Sequence, residues 1–149
     1  MNQIKVLFIC VHNSARSQMS EAFLKKYGGD DFFVESAGLQ PGKLNPIVVD
    51  AMNEVGIDIS HNETNSVFEF FKQGRRYNYV ITVCDESNAE RCPIFPGVMK
   101  TLHWSFKDPS ALTGSYEEKL AGTRAIRDEI EKRVQKWLEE LAKEPEKVR

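Results

Sequence analysis

The sequence is short of several things, and each shortage excludes a class of protein. It has three cysteines in 149 residues. Three is odd and few, so this is not a secreted disulfide scaffold. No apolar run approaches the roughly 20 residues needed to cross a bilayer, so no membrane partner is expected. A surplus of positive charge is also missing, with 20 Lys+Arg against 22 Asp+Glu and a formal charge of -2. Nucleic acid and other polyanions want a basic surplus, and are not expected as partners. No linker, internal repeat or low-complexity tract divides the chain, so residues 1–149 read as one domain able to bury its own core. Met1-Asn2-Gln3-Ile4-Lys5 leads into an apolar stretch too short for a signal-peptide core. The expectation is a cytoplasmic monomer. In a reducing compartment Cys10, Cys84 and Cys92 are then core filler, metal ligands or chemistry.

Patterning predicts alternating strands and helices. Residues 4–10 (Ile-Lys-Val-Leu-Phe-Ile-Cys) form a nearly continuous apolar run, as expected of a parallel strand buried on both faces. Residues 32–37, 77–84 and 98–104 read as three further strands. Helical spacing of apolar residues marks 17–27, 46–55 and, more weakly, 64–73. Asn45 and Pro46 suit the cap and first position of the second helix. A long amphipathic helix covers 116–142, with its balanced charges read as a solvated face. The fold class is therefore α/β, a small four-stranded parallel sheet with helices on both faces in three layers.

The chemistry gathers after the first strand. Cys10 ends it, Val11, His12, Asn13, Ser14 and Ala15 follow, and Arg16-Ser17 opens a helix. Backbone N–H groups of such a loop can converge on one tetrahedral oxyanion, aided by the helix dipole. Arg16 adds a two-pronged contact to the anion. The same donors, with Ser17, favour Cys10 as a thiolate. Nucleophile and tetrahedral target are thus held together.

Cys84 ends the third predicted strand, and the carboxyl ends of parallel strands share one edge, where ligands bind. Cys92 follows after seven polar residues, a stretch long enough to flex. A disulfide needs Cα atoms within about 7 Å. Zinc is disfavoured, because no CxxC or HxxxH spacing is present. Asp108-Pro109 opens a loop, as Asp-Pro commonly does.

With these residues in hand, the sequence resembles the low-molecular-weight protein tyrosine phosphatases and their relatives, the thioredoxin-coupled arsenate reductases. The resemblance covers nearly the whole chain. It runs through the Cys10–Ser17 loop, Gln18, Ser36-Ala37-Gly38, Gly56-Ile57-Asp58-Ile59-Ser60, His103-Trp104 and Asp108-Pro109. It implies arsenate as substrate, with phosphate or sulfate as mimics. Cys10 attacks arsenic and Asp108 is the general acid. Cys84 then attacks Cys10, Cys92 attacks Cys84, and thioredoxin reduces the final disulfide. Gln18, where the phosphatases often have Pro, and Ser110, where they usually have Tyr, both favour the reductase branch. Two departures are the seven residues between Cys84 and Cys92, often six in the reductases, and Ala15, often Cys. The resemblance also implies a potassium site at Asn13, Glu21, Ser36 and Asn65, the last replacing an Asp. No other cofactor is required. The competing readings are a phosphatase indifferent to Cys84 and Cys92, and a non-catalytic redox or anion sensor.

Overall fold

The computed structural model describes residues 3–84 and 95–143. Four parallel strands form one sheet in the order β2-β1-β3-β4, with β1 Ile4–Cys10, β2 Phe32–Gly38, β3 Tyr79–Thr82 and β4 Lys100–His103. The helices are α1 Arg16–Gly28, α2 Pro46–Asn53, α3 Val67–Lys72 and α4 Tyr116–Ala142, with short 3₁₀ turns at Gly29–Asp31 and Pro109–Ala111. Among the described residues no helix is long and apolar enough to cross a membrane.

The unbroken apolar run of β1 has a simple cause. Val6, Phe8 and Cys10 join the core formed with Met19 and Phe23 of α1, Val48 and Met52 of α2, and Ile130, Val134 and Trp137 of α4. Leu7 and Ile9 point into a second core with Val67 and Phe70 of α3. Both faces of the strand are dry, so neither phase of the two-residue period can be polar. Trp137 anchors α4, meeting Tyr79 edge-on at 5.1 Å and Trp104 at 5.8 Å between ring centroids.

Four expectations move. The third strand is not 77–84 but Tyr79–Thr82, because its ladder to β1 pairs only Val6–Ile9. Cys84 therefore lies two residues past the strand rather than on its last position. The fourth strand shortens from 98–104 to Lys100–His103 to match it. The weak helix shortens to Val67–Lys72, started by the Ser66 side chain accepting from the Glu69 N–H. The second helix stops at Asn53, and Gly56 turns the chain with φ +80. Residues 85–94, with Cys92, and 144–149 lie outside the described residues.

The charged face of α4 is not wholly solvated. Arg127 is 8% exposed and donates to the Ala51 carbonyl at 2.8 Å and to Glu54 at 3.0 Å, beside an Arg124–Glu54 pair at 2.6 Å. The hydrogen bonds from Arg124, then those from Arg127, draw the Glu54 carboxyl from 4.5 down to about 2. A group depressed on folding stabilises above its unfolded value, and that contribution disappears as pH falls through the folded one. Glu54→Gln should therefore be less stable than wild type in urea unfolding at pH 7. The gap should narrow between about pH 4.5 and 2.

Candidate functional site

The loop after β1 is shaped by where its carbonyls go. Those of Cys10, Val11, His12 and Ser14 accept the backbone N–H groups of Leu39, Gln40, Gly42 and Asn45, at 2.7–3.1 Å. The Asn13 carbonyl accepts from Gln18 Nε2 at 3.0 Å, and that of Ala15 from the Met19 N–H at 3.0 Å. In a planar trans peptide the N–H points opposite the C=O. Each of these six carbonyls faces its partner, so the N–H groups of residues 11–16 each point away from that partner. The first turn of α1 continues that surface, since Ala15 at its cap offers no side-chain acceptor. Its orphan donors and positive end suit an anion.

Two residues make the tight turn. Asn13 is fully buried with φ 54, a left-handed conformation that Asn tolerates better than most side chains. Gly38 sits opposite Cys10 in the β1–β2 register. A Cβ there would meet Val11 O at 2.7 Å, Asn13 N at 2.8 Å and His12 C at 2.9 Å. The loop lies directly on that glycine.

Cys10 is a free thiol, 3% exposed. The Asn13 N–H donates to its Sγ at 3.1 Å, and Ser17 Oγ lies 2.8 Å away. Ser17 Oγ already accepts Asn13 Nδ2 at 2.7 Å, leaving its own proton for the sulfur. Arg16, 4% exposed, donates to the Phe106 carbonyl at 3.1 Å, and its Nη2 lies 3.6 Å from Asp108 Oδ2. Cradle, nucleophile, guanidinium and carboxylate are thus gathered at one sheet edge. Asp108 is partly exposed and receives the Ser110 N–H at 2.9 Å.

Cys84 is fully buried, in the same core cluster as Cys10, just past the end of the neighbouring strand. Val11 is half-buried and His12 exposed, with its Nδ1 2.9 Å from the Gln40 carbonyl, while Ser14 and Ala15 are buried. Gln18 was singled out by resemblance alone. The structure gives it work: 1% exposed, it also donates to the Glu63 carbonyl at 3.0 Å and accepts from Asn62 at 3.0 Å. A polar side chain in a helical stretch carries no signal of that kind.

Asn13, Glu21, Ser36 and Asn65 do come together. Ser36 Oγ accepts Asn13 Nδ2 at 3.0 Å and donates to Glu21 Oε1 at 2.5 Å. Asn65 gives its N–H to Asn13 Oδ1 at 2.8 Å and its Nδ2 to the Ser36 carbonyl at 3.1 Å. The second oxygen of Glu21 pairs with Lys25 Nζ at 2.5 Å. A hard cation wants converging oxygens. Here both amides turn N–H groups inward and the one carboxylate has an ammonium partner. The four residues satisfy one another rather than form a cation cage. Among the described residues no three His, Cys, Asp or Glu gather as metal ligands either.

The fold and site define an α/β protein that holds a buried cysteine at the base of a loop between the first strand and the first helix. The profile of the low molecular weight phosphotyrosine protein phosphatases matches residues 5–147, and the chain belongs to that family. It is 41% identical over 139 residues to an arsenate reductase of Halalkalibacterium halodurans, covering 93% of this chain and 98% of the relative. A solved arsenate reductase in a phosphate-binding state superposes with a TM-score of 0.74 at 29% identity, covering 93% of this chain and 98% of that one. A thioredoxin-dependent arsenate reductase of Corynebacterium glutamicum has a TM-score of 0.60 at 31% identity, over 89% and 62% of the two chains.

Gly38→Ala tests the cradle. Its Cβ would press on buried backbone, so the loop must shift. Phosphate affinity by calorimetry should fall at least about 10-fold, with a loss of about 1–3 kcal/mol in urea unfolding.

Proposed function

We propose that the protein reduces arsenate to arsenite. The observation that carries this reading is the second buried thiol. A phosphoester hydrolase of this design needs Cys10, Arg16 and Asp108 alone, whereas Cys84 lies in the same core cluster as the nucleophile. The arsenate reductases among its relatives support the same reading.

Arsenate is a tetrahedral oxyanion, and the inward N–H groups with Arg16 suit its oxygens. The Cys10 thiolate attacks arsenic, forming an S–As bond. Asp108 gives its proton to the departing oxygen, which leaves as water. Cys84 then attacks the Cys10 sulfur. The S–As electron pair passes to arsenic, which leaves as arsenite with two more electrons, and a Cys10–Cys84 disulfide remains. Cys92 attacks Cys84, which frees Cys10 and transfers the disulfide to Cys84–Cys92. Cys92 enters on the sequence alone. A dithiol protein of the thioredoxin class completes the cycle, a role supported by the thioredoxin-dependent relative. No organic cofactor takes part. No monovalent cation does either, so replacing potassium by choline should leave the rate within about twofold.

The deciding assay supplies arsenate, thioredoxin, thioredoxin reductase and NADPH. Wild type should oxidise NADPH steadily. Cys10→Ser, Cys84→Ser and Cys92→Ser should each abolish turnover, and Asp108→Ala should slow it by about 10²–10⁴-fold. Phosphatase turnover that survives loss of Cys84 and Cys92, without NADPH oxidation, would sink the reading.

A further inference from the structure

Asn45 uses every hydrogen-bonding group it has. Its backbone N–H holds the Ser14 carbonyl of the cradle at 3.0 Å. Its carbonyl accepts the Val49 N–H at 3.1 Å, and its Oδ1 accepts the Ile47 N–H at 2.9 Å, which together start α2. Its Nδ2 donates to Ser110 Oγ at 3.0 Å, across 65 residues of chain. Ser110 in turn gives its N–H to Asp108 Oδ1 at 2.9 Å. The other oxygen of Asp108 lies 3.6 Å from Arg16 Nη2. The circuit runs from the cradle through Asn45, Ser110 and Asp108 to Arg16, and closes on the cradle.

Capping α2 explains only part of this. Ser, Thr or Asp would cap as well. None of them carries an amide N–H long enough to reach Ser110. The two ties that hold the Asp108 loop to the cradle also differ in kind. The Arg16 tie involves the guanidinium that an arriving oxyanion engages, so substrate competes with Asp108 for it. The Asn45–Ser110 tie lies outside that competition.

We propose that Asn45 is a positioning residue for the reaction. Through Ser110 it holds the Asp108 loop at a fixed distance from the cradle, so that the acid stays aligned with the departing oxygen when Arg16 turns to substrate. The proposal rests on the reading of Asp108 as general acid.

The test compares wild type, Asn45→Ser, Ser110→Ala, the double variant and each single on an Asp108→Asn background. Serine retains the cap and the backbone contacts, and loses only the reach to Ser110. Three quantities are read: kcat and KM for arsenate in the thioredoxin-coupled assay, the rate of Cys10 alkylation by iodoacetate with its protection by phosphate, and Tm. Each single should lower kcat about 5–30-fold, since small misplacements of a reacting group are costly. KM, alkylation, phosphate protection and Tm should stay within about twofold or a few degrees of wild type. The double should be no worse than the singles, and neither substitution should slow Asp108→Asn further. Wild-type kcat in both singles overturns the proposal. So do additive losses, a loss that persists without Asp108, or a loss matched by weaker phosphate protection. A wild type that never turns over arsenate fails the reductase reading instead. The variants are then compared on phenyl and p-nitrophenyl phosphate. A larger loss on the phenyl ester, whose leaving group needs the acid more, supports Asn45. Equal losses, or none, overturn it.

Discussion

Everything at the site depends on one constraint, that a peptide group points its two ends in opposite directions. From Cys10 to Ala15 every carbonyl has a partner on the outer side of the loop. Four of those partners are backbone N–H groups of residues 39–45, one is the Gln18 amide, and one is the next turn of α1. Nothing charged is needed to make the concave side electropositive. It follows from satisfying the convex side, because a buried carbonyl without a partner costs about 1–3 kcal/mol. The segment after β2 is thus part of the anion site although none of its side chains need face the anion. Gly38, at the end of β2, leaves room for the loop, since a Cβ there would meet its backbone.

The same closure creates the problem that the thiols answer. Cys10 is buried, and so are residues 13–17 of the loop around it. A site that excludes water strengthens every interaction with an oxyanion. It also excludes a protein reductant. On the proposed reading, Cys84 just beyond β3, in the same core as Cys10, takes the oxidising equivalent from Cys10 without opening the cradle. The topology provides this at little cost, because β1 and β3 are neighbours and all four strands end at one edge.

The parts of this molecule that were legible in sequence are those where one local pattern has one physical meaning. An apolar run in both phases meant a strand between two layers, and β1 is that strand to the residue. Cys10, Arg16 and Ser17 at that spacing, between strand and helix, meant a cradle. Strand lengths were not legible, because pairing decides them. Residues 77 and 78 read as strand, yet the ladder between β1 and β3 starts only at Val6 and Tyr79. Gln18 and Arg127 were not legible in their roles either, nor was Asn45 beyond its capping of α2. Each acts on a group distant in sequence, at Glu63, Ser110 and Ala51, and a local pattern carries no information about that. The four residues expected to hold potassium illustrate the converse. Resemblance located the four residues, but their hydrogen bonds depend on the Asn at position 65 and on Lys25.

Those hydrogen bonds have a direction that ends at the sulfur. Glu21 as a carboxylate can only accept, so the proton between it and Ser36 belongs to Ser36. Ser36 Oγ therefore has lone pairs left for Asn13 Nδ2. Asn13 has its amide turned so that the same nitrogen reaches Ser17 Oγ, while its Oδ1 takes the Asn65 N–H and holds it that way. Ser17 Oγ, which takes that N–H, lies 2.8 Å from Cys10 Sγ. The ion pair of Glu21 with Lys25 thus stands at one end of a chain of hydrogen bonds that runs through Ser36, Asn13 and Ser17 to Cys10.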